Sequence, residues 1–272
     1  MQDILTQIVA GKREEVAAAR AAISIEELEA KVAGLPASGR SMRAGLAASP
    51  YGIIAEFKRK SPSKGWIHED ARPEDVVPAY CRNGASALSI LTDGPWFGGS
   101  PAFVEKVRGM VDIPILRKDF IIDAYQLLEA KLMGADAVLL IAACLGRGEC
   151  SELLERAHSL GLEVLLETHT PAELEYVTPG VDMVGVNNRN LGTFHTDVRN
   201  SFAMAEALAG KADSVGGPLL VSESGISSPE TVLKLREAGF RGFLMGENFM
   251  KQAVPGDALR EFIEALDRGR NV

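Results

Sequence analysis

The 272-residue sequence predicts an α/β fold, a closed (βα)8 TIM barrel with an N-terminal helical extension. Three observations predict this fold. Eight short apolar runs, the candidate strands, alternate with stretches of helical pattern. The intervals between these runs average about 27 residues, which is the size of one strand-plus-helix unit. All of the runs except the second lack strict polar alternation, as expected for strands that are covered on both faces.

Eight apolar runs are the candidate strands of the barrel. In chain order they are GIIAEFK at 52–58, ALSILT at 87–92, PILRKD at 114–119, AVLLIA at 137–142, EVLLET at 163–168, MVGVNN at 183–188, PLLVSES at 218–224 and GFLMG at 242–246. A doubly wound parallel sheet is the structural alternative. Such sheets usually have fewer strands, and no GxGxxG follows the first run here. We therefore predict the barrel.

Helix starts and ends are recognisable between these runs. Ser100 and Ser228 each place a capping hydroxyl before a proline at the first helical position. The segments 123–126 and 170–173 have capping-box spacing. Four glycines, each suited to a left-handed helix end, stand three residues before a new strand: Gly84, Gly134, Gly180 and Gly239.

The residues before the first strand form the predicted extension. We expect residues 1–48 to pack on a barrel of residues 49–272 rather than to fold as a separate domain. The extension begins with the pattern of an amphipathic helix. The apolar face of that helix comprises Ile4, Leu5, Ile8 and Val9.

Composition excludes several classes of function. There are 29 basic and 37 acidic side chains, so no basic excess is available to neutralise the phosphates of a nucleic acid. The longest apolar run, residues 137–145, is about half of the roughly 18 residues that cross a bilayer. The first residues lack the pattern of a cleaved targeting segment. Cys81, Cys144 and Cys150 have no CxxC spacing and suggest reduced thiols. We expect a cytoplasmic protein with no nucleic-acid or membrane partner.

Polar residues end five of the predicted strands, at the end of a barrel where active sites lie. They are Glu56-Phe57-Lys58, Arg117-Lys118-Asp119, Glu167-Thr168-His169, Asn187-Asn188-Arg189 and Glu223-Ser224-Gly225. One such charge could simply belong to an ion pair that closes the barrel mouth. Five polar strand ends together indicate a site of chemistry.

Glycines follow the last two predicted strands. Gly225 and Gly246 leave backbone N–H groups free at the two loops where many barrels hold a phosphate. Each glycine alone is also typical of an ordinary turn after a strand. Together they favour a small phosphorylated substrate.

Six segments resemble those of one known family. They are IIAEFKRKSPSKG (53–65), LTDGPWFGGS (91–100), ILRKDFIIDAYQLLEAKLMGADAVLLI (115–141), GVNNRNL (185–191), ESGI (223–226) and FLMGENFM (243–250). On these segments the chain resembles the indole-3-glycerol-phosphate synthase family. The resemblance implies conversion of 1-(2-carboxyphenylamino)-1-deoxyribulose 5-phosphate to indole-3-glycerol phosphate, CO2 and water in tryptophan biosynthesis. It implies no cofactor and no metal.

The resemblance also implies roles for five catalytic residues. Lys118 would be the general acid at ring closure, and Glu167 the acid/base group of dehydration. Lys58 would contact the substrate carboxylate and assist proton transfer, while Glu56 and Asn187 would hold these groups in register. From the residues alone, we expect the crowded strand end to lower the pKa of Lys118 toward neutrality. We expect Glu167, beside two lysines, to stay ionised unless it is desolvated.

The substrate-binding residues that the resemblance implies fall into three sets. The phosphate cradle would comprise Ser224, Gly225, Gly246 and Glu247, alongside Leu244. Ser61 and Arg189 would contact polar groups of the substrate, and Glu223 would organise the charges. The apolar slot for the anthranilate ring would comprise Phe97, Phe120, Leu139 and Leu191, although core packing is an alternative role for Leu139, Phe97 and Phe120.

Two positions depart from the commonest pattern of the family. Glu247 stands where many relatives have serine, so its carboxylate must point away from a bound phosphate. His169 lies in the segment 168–170, which replaces the valine-rich form. With no third ligand spaced to join Glu167 and His169 in a metal site, we expect a solvent-facing loop histidine.

Other functions are compatible with parts of the pattern. A sugar-phosphate isomerase or a lysine Schiff-base aldolase would share the phosphate site. A non-catalytic binding module could have lost Lys118 or Glu167, and both are present. The combination of Lys58, Lys118 and Glu167 favours the synthase. We expect a monomer, with a dimer as the alternative.

Overall fold

The computed structural model describes residues 4–36, 39–190, 192–212 and 217–270. Eight parallel strands close into a barrel, as the sequence predicts. These are β1 (Ile53–Phe57), β2 (Ala87–Leu91), β3 (Ile115–Lys118), β4 (Ala137–Ile141), β5 (Glu163–Thr168), β6 (Met183–Asn187), β7 (Leu219–Glu223) and β8 (Gly242–Met245). Each lies within the run predicted for it. A separate two-stranded hairpin pairs Lys60–Ser61 with Gly65–Trp66 in the loop after β1.

Each barrel strand pairs with its neighbours in sequence, and β8 pairs with β1. The register aligns the carboxyl ends of the strands: Asn187 of β6 lies opposite Glu223 of β7, and Glu167 of β5 opposite Ile141 of β4. Because all strands run in the same direction, the polar residues that end them meet at one mouth of the barrel.

Helices precede the barrel and surround it. They are α1 (Ile4–Ala22), α2 (Ile25–Ala33), α3 (Met42–Ala48), α4 (Pro73–Arg82), α5 (Gly94–Phe97), α6 (Pro101–Arg108), α7 (Ala124–Met133), α8 (Arg147–Ser159), α9 (Arg199–Ala212), α10 (Pro229–Glu237), α11 (Glu247–Met250) and α12 (Pro255–Arg270). Two 3-10 helices span Ala142–Cys144 and Pro171–Tyr176.

Most of the predicted helix boundaries are confirmed. Ser100 and Ser228 accept backbone N–H groups as helix caps, and Asp123 forms a complete capping box with Gln126. The four predicted helix-end glycines all have positive φ, between 88° and 101°.

The segment after β5 differs from the expected capped helix. Thr170 makes no side-chain cap, and a 3-10 helix follows it. The carboxylate of Glu173 instead accepts the backbone N–H of His169 at 2.7 Å and the Thr170 hydroxyl at 3.1 Å. Because the Glu173 side chain folds back onto the end of β5, the chain makes a 3-10 turn, which is tighter than a turn of α-helix.

Two of the N-terminal helices lie at opposite ends of the barrel. Met42 and Leu46 of α3 are fully buried, and they pack into the same apolar cluster as Ile54 of β1 and Leu116 of β3 inside the barrel. Helix α1 lies at the other end, where the predicted apolar face contributes to the cavity described below. The division at residue 48 into extension and barrel stays a prediction.

A buried lysine fastens α1 to the barrel. The Lys12 ammonium lies 3.1 Å from Asp93, in the loop after β2, and 3.0 Å from Asp119, directly after β3. It also contacts Glu15 on its own helix at 2.6 Å. Burial by itself would lower the pKa of Lys12, but the acidic partners, Asp119 foremost, raise the pKa above its usual value.

Replacing this lysine tests its role in stability. We expect Lys12→Met to lower the free energy of unfolding by about 3–5 kcal/mol, because Asp93 and Asp119 would lose their shared buried cation. Urea unfolding followed by circular dichroism measures the change. The matched control is Lys106→Met, which removes an exposed partner of Glu74 and should change stability by less than about 1 kcal/mol. Equal effects of the two substitutions would contradict the role of Lys12.

Candidate active site

A cavity of about 630 Å³ lies at the carboxyl end of the barrel strands. The structure brings sixteen of the seventeen predicted site residues into its lining. They are Glu56, Lys58, Ser61, Phe97, Lys118, Phe120, Leu139, Glu167, Asn187, Arg189, Glu223, Ser224, Gly225, Leu244, Gly246 and Glu247. Leu191, the remaining one, lies outside the described residues.

The centre of the cavity is the ammonium of Lys118. It donates hydrogen bonds to Glu167 Oε2 at 2.7 Å and to Glu223 Oε2 at 2.8 Å. The three residues end β3, β5 and β7, so their side chains come from alternate strands, as side chains in one layer of a barrel do. Both carboxylates are buried. The ammonium therefore satisfies two buried negative groups at once.

The expected lowering of the Lys118 pKa is wrong. Burial does favour the neutral amine, but Glu167, Glu223 and Glu56 together outweigh burial and raise the pKa of Lys118 above its usual value. The sequence showed crowding at the strand end but did not show which charges would surround the ammonium. In this site Lys118 is a charged proton donor at neutral pH.

The two carboxylates on Lys118 differ in protonation. Burial favours the neutral acid, yet Lys118 and His169 hold the pKa of Glu167 well below its usual range, which agrees with the expected ionised state. Burial raises the pKa of Glu223 to about 7, with Lys118 opposing and the Glu167 charge adding to the rise. Because one ammonium cannot fully compensate two neighbouring carboxylates, one of them binds a proton more readily.

Glycine at position 185 makes room for Glu223. A Cβ at Gly185 would lie 2.0 Å from Glu223 Oε1, so a side chain at this position of β6 would force the Glu223 carboxylate to move. That oxygen is buried and accepts no hydrogen bond within the described part of the chain. Gly246 similarly clears space for Glu56, whose Oε1 would be 2.5 Å from a Cβ there.

A second lysine lies beside this centre. Lys58 Nζ, in the loop after β1, is 2.6 Å from Glu56 Oε1 near the end of that strand. The Ser89 hydroxyl donates to the other oxygen of Glu56 at 3.4 Å. Asn187 Nδ2 donates to Glu167 Oε1 at 3.1 Å. Lys118, Glu167, Asn187 and Glu223 thus form one hydrogen-bonded group, and the ion pair of Glu56 and Lys58 lies beside it in the same cavity lining.

His169 is not the solvent-facing loop residue that the sequence analysis expects. Its side chain is only 7% exposed, with Nε2 3.2 Å from Glu167 Oε1 and Nδ1 3.5 Å from Glu173 Oε2. These two carboxylates stabilise the charged form of the buried imidazole and offset the cost of removing that charge from water. No cluster of three or more His, Cys, Asp or Glu side chains in the described segments has the arrangement of a metal site.

Aromatic and aliphatic side chains line one wall of the cavity. Phe97 and Phe120 lie with ring centroids 6.0 Å apart, and Leu139 is buried in the same lining. Helix α1 adds Ile4, Leu5 and Ile8 to the lining, which the sequence analysis assigned to packing only. An apolar helix face gives no signal that distinguishes a cavity wall from an ordinary core contact.

Backbone turns after β7 and β8 form the opposite end. Ser224 and Gly225 both have positive φ, 66° and 75°, and a Cβ at Gly225 would lie 2.6 Å from Thr196 Cγ2. Gly246 precedes the first turn of α11, and no side chain of the described residues caps that turn. Backbone N–H groups there can hold an anion.

Several polar side chains stand around these turns. Glu247 lies 3.7 Å from Arg189 and 3.8 Å from Lys64, so its carboxylate is directed toward cations. Arg189 also donates to the Ser63 hydroxyl. The Ser61 hydroxyl is buried and has no hydrogen-bond partner among the residues described.

Sequence reasoning missed some members of this rim. They are Ser63, Lys64, Phe194, Thr196, Asn248 and Lys251. The Lys- and Ser-rich stretch after β1 was a usable signal for Ser63 and Lys64. Asn248 lies in the segment 243–250 that resembles the family, whereas Phe194, Thr196 and Lys251 are brought inward only by the folded loops.

Comparison with known proteins decides the family. The family model described as "Indole-3-glycerol phosphate synthase" matches residues 5–262. A protein of that description from Bacteroides thetaiotaomicron is 59% identical over 266 residues, which cover 98% of this chain and 100% of the relative. This chain belongs to the indole-3-glycerol phosphate synthase family.

Other relatives agree with this assignment. A protein of the same description from Azoarcus sp. is 45% identical over 267 residues, with 96% of this chain and 98% of the relative covered. Among solved structures, a mutant tryptophan synthase α-subunit from Pyrococcus furiosus gives a TM-score of 0.59 at 15% identity, covering 80% of this chain and 98% of that one. A structure described as native KDPGal gives 0.56 at 17%, covering 82% and 98%. These two show the barrel fold alone.

The activity of the indole-3-glycerol phosphate synthase family follows from this close homology. It is a carboxy-lyase reaction (EC 4.1.1.48) of tryptophan biosynthesis, and the substrate is phosphorylated. Within the described ranges, no helix is both long and apolar enough to cross a membrane. Cys81, Cys144 and Cys150 form no disulfide bond.

The raised pKa of Glu223 can be tested by measuring the stability of the protein as a function of pH. Its pKa of about 7 lies above the ordinary value of 4.5, so between these pH values the folded state binds more protons than the unfolded state. The contribution of Glu223 to the free energy of unfolding therefore falls as the pH rises from 5 to 8. We expect the stability of Glu223→Gln relative to the parent to increase by about 1–3 kcal/mol over that range.

Urea unfolding at pH 5, 6.5 and 8 measures this difference. The matched control is Glu237→Gln, which changes an exposed carboxylate on α10 and should give a difference independent of pH. A Glu223→Gln difference that stays flat, or that falls with pH, would contradict the raised pKa.

Proposed function

We propose that this cavity performs ring closure, decarboxylation and dehydration of 1-(2-carboxyphenylamino)-1-deoxyribulose 5-phosphate, with Lys118 and Glu167 as the acid/base pair. The main support for these two roles is the 2.7 Å contact between the charged Lys118 and the ionised Glu167. The contact lies inside a cavity that has an apolar wall at one side and backbone turns at the other.

Ring closure needs a proton donor. The aryl carbon that bears the carboxylate bonds to the ribulose carbonyl carbon, and the carbonyl oxygen becomes a hydroxyl by taking a proton. Lys118 is charged and lies at the centre of the cavity, so it is the donor in this proposal. Loss of CO2 then returns the bonding electrons to the ring system and restores its aromaticity.

Dehydration needs a base as well as an acid. The hydroxyl leaves as water with one added proton, and the neighbouring CH2 group loses a proton as the indole double bond forms. The ionised Glu167 is suited to accept that proton. Lys58 contacts the substrate carboxylate before it is lost and assists the transfers, while Glu56 and Asn187 hold Lys58 and Glu167 by the contacts described above.

The two ends of the cavity orient the substrate. We assign the phosphate to the backbone turns, with Ser224, Gly225, Gly246 and Glu247, alongside Leu244, as its cradle. Arg189 and the unpartnered Ser61 hydroxyl contact polar groups of the substrate, and Glu223 keeps Lys118 in place. The anthranilate ring lies against Phe97, Phe120 and Leu139. Leu191 remains a prediction for the same slot.

The charge on Lys118 argues against a Schiff-base aldolase. Such an enzyme needs a neutral lysine amine as nucleophile, whereas three carboxylates keep Lys118 protonated. A binding module that had lost its chemistry would have no reason to keep these buried charges. The isomerase needs one acid and one base, and leaves Lys58 without a role.

Replacing the proposed pair tests the mechanism. We expect Lys118→Ala and Glu167→Gln each to lower kcat by about 10²–10⁴-fold, because each removes one proton-transfer group. The growth of indole fluorescence after mixing enzyme with the carboxyphenylamino-deoxyribulose phosphate measures kcat. Matched controls are Lys234→Ala and Glu237→Gln on the exposed face of α10, which should retain the parental rate. Full activity in either cavity variant would remove that residue from the mechanism.

We also propose that the enzyme works as a monomer in the cytoplasm. A single chain supplies the cations, carboxylates and apolar wall that the proposed chemistry uses, and three cysteines that form no disulfide are typical of a reducing compartment.

Light scattering during size-exclusion chromatography tests the oligomeric state. We expect the mass of one 272-residue chain over a wide range of concentration, with specific activity that does not change on dilution. A stable mass of two chains would establish the dimer instead.

A further inference from the structure

The surroundings of His169 point to a function that the proposed mechanism does not use. The imidazole follows the end of β5 and is buried, with one ring nitrogen 3.2 Å from Glu167 and the other 3.5 Å from Glu173. It does not line the cavity among the side chains described there. Any effect on the reaction must therefore pass through Glu167.

Both neighbours of the imidazole are themselves held in place. Glu173 accepts the His169 backbone N–H and the Thr170 hydroxyl, at 2.7 and 3.1 Å. Asn200 Nδ2 donates to the backbone carbonyl oxygens of His169 and Asn187, each at 3.2 Å. These contacts fix the ends of β5 and β6 relative to one another. They hold the backbone from which the imidazole of His169 projects between Glu167 and Glu173.

The imidazole carries a positive charge in this setting. Burial favours its neutral form, but Glu167 and Glu173 outweigh burial and raise the pKa of His169 to about 10. Glu167 therefore has a cation on each oxygen: Lys118 at Oε2 and His169 near Oε1, the oxygen that also accepts from Asn187.

The charge on His169 becomes important when Lys118 loses its own charge. Lys118 gives up its proton at ring closure in the proposed mechanism. Glu167 would then face the neighbouring carboxylate of Glu223 without a charged lysine. Like charges in a buried site favour uptake of a proton, which would disable a base. A positive group outside the cavity, which does not take part in proton transfer, prevents that loss.

We propose that His169 is a positioning residue, whose imidazolium holds Glu167 in place as a carboxylate after Lys118 has released its proton. The inference rests on the proposed function of Glu167 as the base of dehydration. The other charged groups near Glu167 are Lys118 and Glu223 within the cavity, Glu173 behind the imidazole, and the pair of Glu56 and Lys58 on the far side of Lys118.

A pH profile of kcat tests this proposal. His169→Gln keeps a hydrogen-bond donor but removes the charge, so we expect the acid limb of the kcat profile to move upward by about one pH unit. KM should change little, because His169 does not line the cavity. The matched control is His158→Gln, which changes a more exposed histidine paired with Asp182 on the outside of the barrel and should retain the parental profile.

The charge on His169 can also be measured without replacing it. The sequence has four histidines, so imidazole NMR signals can be assigned from single substitutions of the other three. We expect His169 to remain protonated above about pH 8 in the parent and to titrate at lower pH in Glu173→Gln, which removes one of its counter-charges. This measurement stands even if His169→Gln fails to fold.

The possible outcomes have three different meanings. An unchanged acid limb in folded His169→Gln would overturn the positioning role, as would a His169 that titrates near its usual pH in the parent. A parental rate in Glu167→Gln would instead overturn the proposed function on which the inference rests. An upward shift of the limb together with a protonated His169 would support both.

Discussion

The ammonium of Lys118, shared between Glu167 and Glu223, is the interaction on which the rest of this site depends. Two buried carboxylates side by side would repel one another, and each would bind a proton without a cation between them. The lysine offsets that repulsion, and the carboxylates in turn raise the pKa of Lys118 above its usual value. Its unequal partners, one ionised and one titrating near neutrality, follow from the same shared charge.

Barrel geometry is what makes such an arrangement possible. Parallel strands deliver their ends to one mouth, and alternate strands place their side chains in the same layer. Gly185 and Gly246 then provide the space that the carboxylates of Glu223 and Glu56 occupy. The sheet thus contributes both the charges and the gaps between them. A side chain at either glycine would force a carboxylate to move.

The N-terminal helices complete the barrel at both ends. Helix α3 covers the bottom with apolar side chains, as a packed core requires. Helix α1 stands at the mouth, where the buried Lys12 binds the acidic groups that follow β2 and β3. Because Asp119 directly follows Lys118, the helix is joined to the residue next to the central lysine, where β3 ends. Stability of the extension and shape of the cavity are therefore connected.

The sequence by itself determined the strands, most of the helix caps and the set of polar strand ends. Local features specify all of these: unbroken apolar runs, capping side chains such as Asp123, and glycines such as Gly134 that tolerate positive φ. Only the tertiary structure decided the burial of His169, the direction of the Lys118 pKa and the place of α1 in the cavity wall. Each depends on groups distant in sequence. The backbone of His169 is held by Asn200 of α9, and Lys118 stays charged because β5 and β7 bring carboxylates within 3 Å of it.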